Sequence, residues 1–159
     1  MNDIIKRALV VAGLPSILEP AGLDRGDGRR PDGMTVFPFR NGKALVWDAT
    51  CADTYSATHV NHCALQAGYA ANTAEQNKNT KYQTLSDRYI FQPISVETTG
   101  VLGKSTLTFL KDLGRRMKVE SDDPREGAWL RQRISIAVVR GNAACIVASA
   151  KNTRSILDS

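Results

Sequence analysis

Asn41-Gly42 lies between two apolar runs, residues 34–39 and 44–47, in the stretch RRPDGMTVFPFRNGKALVWDATCADT that covers 29–54. Both central residues of a tight hairpin turn need positive φ, which asparagine and glycine tolerate, so this dipeptide predicts a β-hairpin. Each predicted strand carries one acid. Asp32 follows Pro31 where the first strand begins, and Asp48 follows Val46-Trp47 at the far end of the second. Burying an unpaired carboxylate is costly, so an acid there points to a task other than core packing.

Register decides whether the two acids converge. A two-residue turn pairs Arg40 with Lys43, which sets Asp32 against Cys51 and on the face opposite Asp48. A slip of one residue flips a side chain to the other face. One extra residue in the first strand is expected to move Asp32 opposite Ala52, on the face of Asp48 and Thr50. Pro38 cannot donate a ladder hydrogen bond and marks the place for such a bulge. Two carboxylates on one face of a hairpin can grip a divalent cation between them.

The rest of the chain is read around this hairpin. Its 159 residues suffice for one domain with a core, expected over 1–150, with a polar tail at 151–159 that frays. Hydrophobic residues make up 42% and charged residues 23%, which excludes a disordered or fibrous class. A net charge of +5 favours a polyanionic partner. Three cysteines, 51, 63 and 145, are too few and too scattered for a disulfide framework and point to an intracellular reducing compartment. No uninterrupted run reaches the ~20 apolar residues of a membrane span, so no membrane partner is expected.

Along the chain, Asn2 or Asp3 can cap a first helix whose Ile4, Ile5, Ala8, Leu9 and Ala12 recur at helical spacing, with Gly13 and Pro15 as its stop. Residues 16–19 form a short strand candidate that ends at Glu19-Pro20. The loop 22–30 carries Arg25, Arg29 and Arg30, which suit phosphate. A helix is expected over 67–85, with Lys78, Lys81 and Leu85 on one face. Within it Glu75 can pair with Lys78, whereas Lys81 has Asn77 four residues before it. A strand is expected over 88–97, with Tyr89, Phe91 and Pro93 alternating against Ile90, Ile94 and Val96. Two helices follow. The first, 104–118, turns Leu107, Leu110, Leu113 and Met117 inward. The second starts at Asp122-Asp123-Pro124, with a buried stripe of Trp129, Leu130, Ile134, Ala137, Val138, Gly141, Cys145 and Ala148. Strands interleaved with helices predict an α/β fold with a small mixed central sheet flanked by helices.

Cys51, His59, His62 and Cys63 raise a zinc reading, but their spacing lacks the paired ligand doublets of structural zinc sites. A Cys51/His59 nucleophile pair is a further alternative, that of an unrelated α/β enzyme, with no orienting acid in view.

Pro31-Asp32, a hydrophobic hairpin and then Asp48 resemble the PD-(D/E)xK nuclease core, which has an acid at a strand start, an acid on the next strand and usually a lysine two residues later. Thr50 stands where that lysine belongs. The chain is similar in particular to the restriction-like endonuclease domains of site-specific non-LTR retrotransposons. The resemblance rests on Arg30-Pro31-Asp32, Asp48-Ala49-Thr50, Lys78-x-x-Lys81-Tyr82 and the strand leading from Pro93 to Gly100, and it covers roughly residues 2–114. That family carries a basic/histidine motif ahead of its first helix, which raises the expectation that this chain is a piece of a longer product.

The resemblance implies a restriction-endonuclease-like core and a metal-dependent DNA endonuclease that nicks target DNA to prime reverse transcription. It implies a nuclear or other intracellular location and a reverse transcriptase domain or protein of the same element as partner. Asp32 and Asp48 would hold Mg²⁺ or Mn²⁺, with the Ala49 carbonyl as a third contact and Glu19 as a further ligand or water-orienting group. Lys81, with Lys78 as substitute, would supply the charge that Thr50 cannot. Arg25, Arg29 and Arg30 would grip the DNA backbone. The alternative is a catalytically decayed module of the same fold that binds nucleic acid by charge.

Overall fold

The computed structural model describes residues 1–23 and 30–157, with side chains through 150. Helix α1 (Asn2–Val11) leads into β1 (Ser16–Leu18), β2 (Gly33–Thr35) and β3 (Ala44–Ala52). Two helices, α2 (Val60–Leu65) and α3 (Tyr69–Lys81), carry the chain to β4 (Tyr89–Glu97), and α4 (Lys104–Ser121) and α5 (Glu126–Leu157) close the fold. The four strands form one mixed sheet in the order β1-β2-β3-β4, with β1, β2 and β3 antiparallel and β4 parallel to β3. This is an α/β fold with a small mixed sheet flanked by helices, as the interleaving of strand and helix patterns predicts.

The sheet has two distinct faces because side chains alternate along a strand. Leu45 and Trp47 of β3 and Ile94 of β4 point to one side, where Ile5 and Leu9 of α1, Leu110 and Leu113 of α4 and Leu130 and Ile134 of α5 complete the main core. Full burial of each such aliphatic side chain contributes roughly 1.5–3 kcal/mol. Val46 and Asp48 of β3, and Phe91, Ser95 and Glu97 of β4, point to the other side, against α3. Ala70 and Ala71 are buried and let α3 approach closely there, and the buried Tyr82 stacks on Phe91 at 4.5 Å.

The hairpin turn has the predicted form. Asn41 has φ 52° and Gly42 φ 72°, and Arg40 pairs with Lys43. The register beyond it differs from expectation. Gly33 pairs with Trp47 and Met34 with Val46. Residues 36–39 therefore stand against the single residue Ala44, an excursion of three extra residues where the sequence suggested one. Thr35 holds it open: its hydroxyl accepts the Leu45 N–H at 2.9 Å and donates to the Phe37 carbonyl at 2.8 Å. Pro38 lies inside the excursion, where its missing N–H costs nothing. Three extra residues have the same parity as one, so the acids share a face. Extra residues in the first strand carry the partner of Asp32 back along β3, from Cys51 to Asp48 itself, and not forward to Ala52 as expected.

Gly33 is required by its partner strand. A Cβ added there would lie 2.0 Å from Cζ2 of Trp47, whose ring crosses the glycine. At the first helix neither candidate caps: Asn2 is the first residue of α1 and makes no cap hydrogen bond, and Asp3 lies inside the helix and pairs with Arg7 at 2.9 Å.

Helix α5 corrects the predicted stripe. Leu130, Ile134 and Val138 are buried, but Gly141, Cys145 and Ala148 are exposed, because the helix runs past the edge of the core. Its backbone stays helical through Leu157, across most of the tail predicted to fray; residues 158–159 lie outside the described residues. By length and composition alone, 126–150 also meets the requirement of a membrane span. Arg131, Arg133 and Arg140 interrupt that run and hide it from a count of uninterrupted apolar residues.

Candidate active site

Asp48 is the fixed point of the site. It lies on β3 with its side chain toward α3, and its Oδ2 accepts a hydrogen bond from Lys78 Nζ at 2.6 Å. Only 10% of the Asp48 side chain and 13% of the Lys78 side chain reach solvent. Attraction between the two charges is strengthened by the loss of water, and the pairing is what makes burial of either charge tolerable.

Asp32 stands beside it at the start of β2. Its Oδ2 accepts the backbone N–H of Ala49 at 2.6 Å, which orients the carboxyl along the edge of β3. Burial pushes the Asp32 carboxyl above the usual carboxylate range. The Ala49 N–H opposes that shift, the neighbouring Asp48 carboxyl adds to it, and the Lys78 ammonium lowers it. Two neighbouring carboxyls repel when both are ionised, and a proton or a cation between them relieves that repulsion.

The lysine at this site is Lys78 and not Lys81, which the sequence favoured. Lys81 Nζ lies over the Tyr82 ring, 5.1 Å from its centroid, and makes no ion pair with either acid. The preference rested on Glu75 as an ion-pair partner for Lys78. Glu75 is instead buried and turned to α4: its Oε1 accepts the Thr106 N–H at 2.8 Å, the Thr106 hydroxyl at 2.6 Å and the Ser95 hydroxyl at 3.1 Å, and its Oε2 accepts the Ser105 N–H at 3.0 Å. These are the orphan donors of the first turn of α4, so Glu75 caps that helix from outside. Lys78 is thereby left to Asp48.

Glu97 makes the matching contact at the other end of α3. Its Oε1 accepts the Ala70 N–H at 3.0 Å and the Ala71 N–H at 3.5 Å, and it is almost fully buried. The two glutamates fix both the position and the pitch of α3, and hence the place where Lys78 meets β3. Sequence reasoning missed both. A glutamate closing an apolar strand and a Gly-Lys-Ser-Thr helix start without an acidic cap were the available signals.

The remaining predicted residues are scattered around this centre. Glu19 lies just past β1 rather than on it, at φ 48°. Its backbone N–H donates to the Asp32 carbonyl at 2.9 Å while its side chain is exposed. Thr50 follows on the Asp48 face of β3 and is half-buried. Arg30 is exposed two residues before Asp32; Arg25 and Arg29 lie outside the described residues. The zinc candidates are not gathered. Cys51 lies on the core side of β3, His59 Nδ1 pairs with the Ser56 hydroxyl at 2.9 Å, and His62 stacks on Tyr69 at 4.6 Å. Among the described residues no group of three or more His, Cys, Asp or Glu side chains is placed to hold a metal, and Asp32 with Asp48 is a pair. Cys51 and His59 make no contact with each other, so the thiol-nucleophile alternative has no geometry behind it.

No protein-family model matches this chain, and no curated protein matches it.

Proposed function

We propose that the chain is a metal-dependent DNA endonuclease domain with a restriction-endonuclease-like core, its site built from Asp32, Asp48 and Lys78. The observation that carries this reading is the convergence of two carboxyls and one ammonium from β2, β3 and α3 at one point of the sheet. The donor set suits Mg²⁺ or Mn²⁺. Both are hard cations that take carboxylate oxygens and keep several waters, and a divalent charge offsets the burial and the Asp48 repulsion that raise the pKa of Asp32. When bound, such an ion supplies a Lewis acid to a phosphoryl oxygen and a hydroxide-like water.

The protein's own groups do the rest. Asp48 and Asp32 would hold the ion, and the Ala49 N–H keeps Asp32 aimed at it. The Ala49 carbonyl is the third oxygen implied by the resemblance. Lys78 places a positive charge where negative charge develops on the phosphate, the task left open by Thr50. Arg30, with Arg25 and Arg29, would meet the DNA backbone, which positions the duplex without reading its sequence. Nicking of target DNA to prime reverse transcription, with a reverse transcriptase of the same element as partner in an intracellular compartment, is the biological setting this reading proposes.

A second reading is favoured by the ion pair itself. Lys78 occupies one oxygen of Asp48, so a module that has lost its metal would keep the same geometry and bind nucleic acid by charge. Nicking of supercoiled DNA with and without Mg²⁺ distinguishes the two.

A further inference from the structure

We propose that Cys51 and Cys145 form a reversible intramolecular disulfide that fastens the outer half of α5 to the end of β3. Both thiols are free and exposed. Cys51 shares its face of β3 with Leu45, Trp47 and Ala49, the face on which α5 lays Leu130 and Ile134. Val138 continues that packing, and Cys145 lies two turns beyond it on the same side of the helix. An independent tie holds this part of α5 at the end of the sheet: Asn142 Nδ2 donates to the Thr98 carbonyl at 2.7 Å, and the Thr98 N–H donates to the carbonyl of Ala52, the neighbour of Cys51, at 3.0 Å. Cys145 follows Asn142 by less than one turn, which sets it near the link from Thr98 to Ala52.

Cys63 is excluded from this pair by the sheet. Its Sγ faces Glu97 Oε1 at 3.8 Å, on the α3 side. The sequence separation that made the cysteines look scattered is thus undone by the fold for one pair only.

The reaction needs an oxidant, and glutathione disulfide supplies the chemistry. The Cys145 thiolate attacks one sulfur of glutathione disulfide, forms a mixed disulfide and releases one glutathione thiolate. Cys51 enters second: on deprotonation its sulfur attacks Cys145 Sγ and releases the second glutathione. The protein loses two electrons and two protons, and one glutathione disulfide becomes two glutathiones. In the reduced protein the outer half of α5, with exposed Val139, Ile146 and Val147, is held by the Asn142 contact. In the oxidised protein it is covalently tied to β3. Transient disulfides of this kind suit a normally reducing compartment.

The test is oxidation of the full chain by glutathione disulfide, followed by non-reducing peptide mapping. The expected product is a monomer lighter by two hydrogens, with Cys51 joined to Cys145 and Cys63 free. Cys63→Ser should leave that product intact, and Cys51→Ser and Cys145→Ser should each abolish it. Amide exchange over 142–148 should slow by roughly tenfold on oxidation, since local opening of that segment is then restrained. Separate glutathione adducts on Cys51 and Cys145 without a cross-link, a link that includes Cys63, or links only between chains would each overturn the proposal.

Discussion

Lys78 Nζ lies 2.6 Å from Asp48 Oδ2, and it reaches that oxygen because Glu75, one turn earlier, is bound to the first turn of α4. The three side chains form one chain of cause. The capping of α4 frees Lys78 from its helical neighbour, and the freed ammonium neutralises the acid on β3. The site is therefore supported from two helices, α3 directly through Lys78 and α4 through Glu75.

Lysine replacement should separate Lys78 from Lys81. Lys78→Ala leaves a nearly buried carboxylate without its partner, a change that costs about 3 kcal/mol in comparable pairs. In urea denaturation Lys78→Ala should lose stability of that order, and Lys81→Ala should stay near wild type. In the nicking assay Lys78→Ala should fall by a factor of ~100 or more, typical of removing a charge-stabilising group. A larger loss of nicking for Lys81→Ala than for Lys78→Ala would contradict the assignment.

The raised pKa of Asp32 carries a pH dependence with a defined sign. Its folded value lies above the ordinary carboxylate range, so the stability it contributes is full below that range and is lost as pH rises through the folded pKa. Asn is a mimic of the protonated carboxyl: its oxygen can still accept from Ala49 and its amide can donate to Asp48. Without added metal, Asp32→Asn should melt above wild type at about pH 7 and converge with it at about pH 3. Excess Mg²⁺ should raise the wild-type melting temperature and leave the variant little changed. A variant that melts below wild type at neutral pH in EDTA would refute this account of the pair.

Gly33→Ala should be disruptive out of proportion to one methyl group. The added Cβ would sit 2.0 Å from the Trp47 ring, which is fully buried and has no space to retreat. Overpacking of this kind typically costs ~1–3 kcal/mol, and here the upper end is expected. Equilibrium denaturation measures it, and a neutral substitution would mean that β2 and β3 are not paired in this register.

Most of the architecture was legible in the sequence because it rests on local signals. Asn41-Gly42 sets the turn by its φ requirement, and helical spacing marks α1, α4 and the inner half of α5. The sheet register was not legible. Three extra residues between Thr35 and Arg40 are stabilised by the Thr35 hydroxyl, which reaches across to Leu45, and no local pattern reports such a contact. The choice of lysine failed for a similar reason. It depended on where Glu75 points, and that is settled by Thr106 of a helix 31 residues later. Asp32 and Asp48 stand out in the sequence because apolar strands seldom carry acids without a purpose, and the register sets them opposite each other.

Glu75→Ala tests the support of the site independently of its chemistry. It would remove the acceptor for two backbone N–H groups and two hydroxyls, most of them buried. Leaving such donors unsatisfied costs ~1–3 kcal/mol each, so a severe loss of stability is expected. The amides of Ser105 and Thr106 should lose their protection from hydrogen exchange first. Protection retained at those amides would show that α4 is capped by other means.

A phosphodiester-cleaving site built from Asp32, Asp48 and Lys78 is tested most directly by conversion of supercoiled plasmid to open circles by the purified chain. Nicking should require Mg²⁺ or Mn²⁺ and be lost in Asp48→Ala and in EDTA, while salt-dependent DNA binding stays in place. DNA binding without any metal-dependent nicking would contradict it and favour the decayed module. Nicking that survives Asp48→Ala would place the chemistry elsewhere.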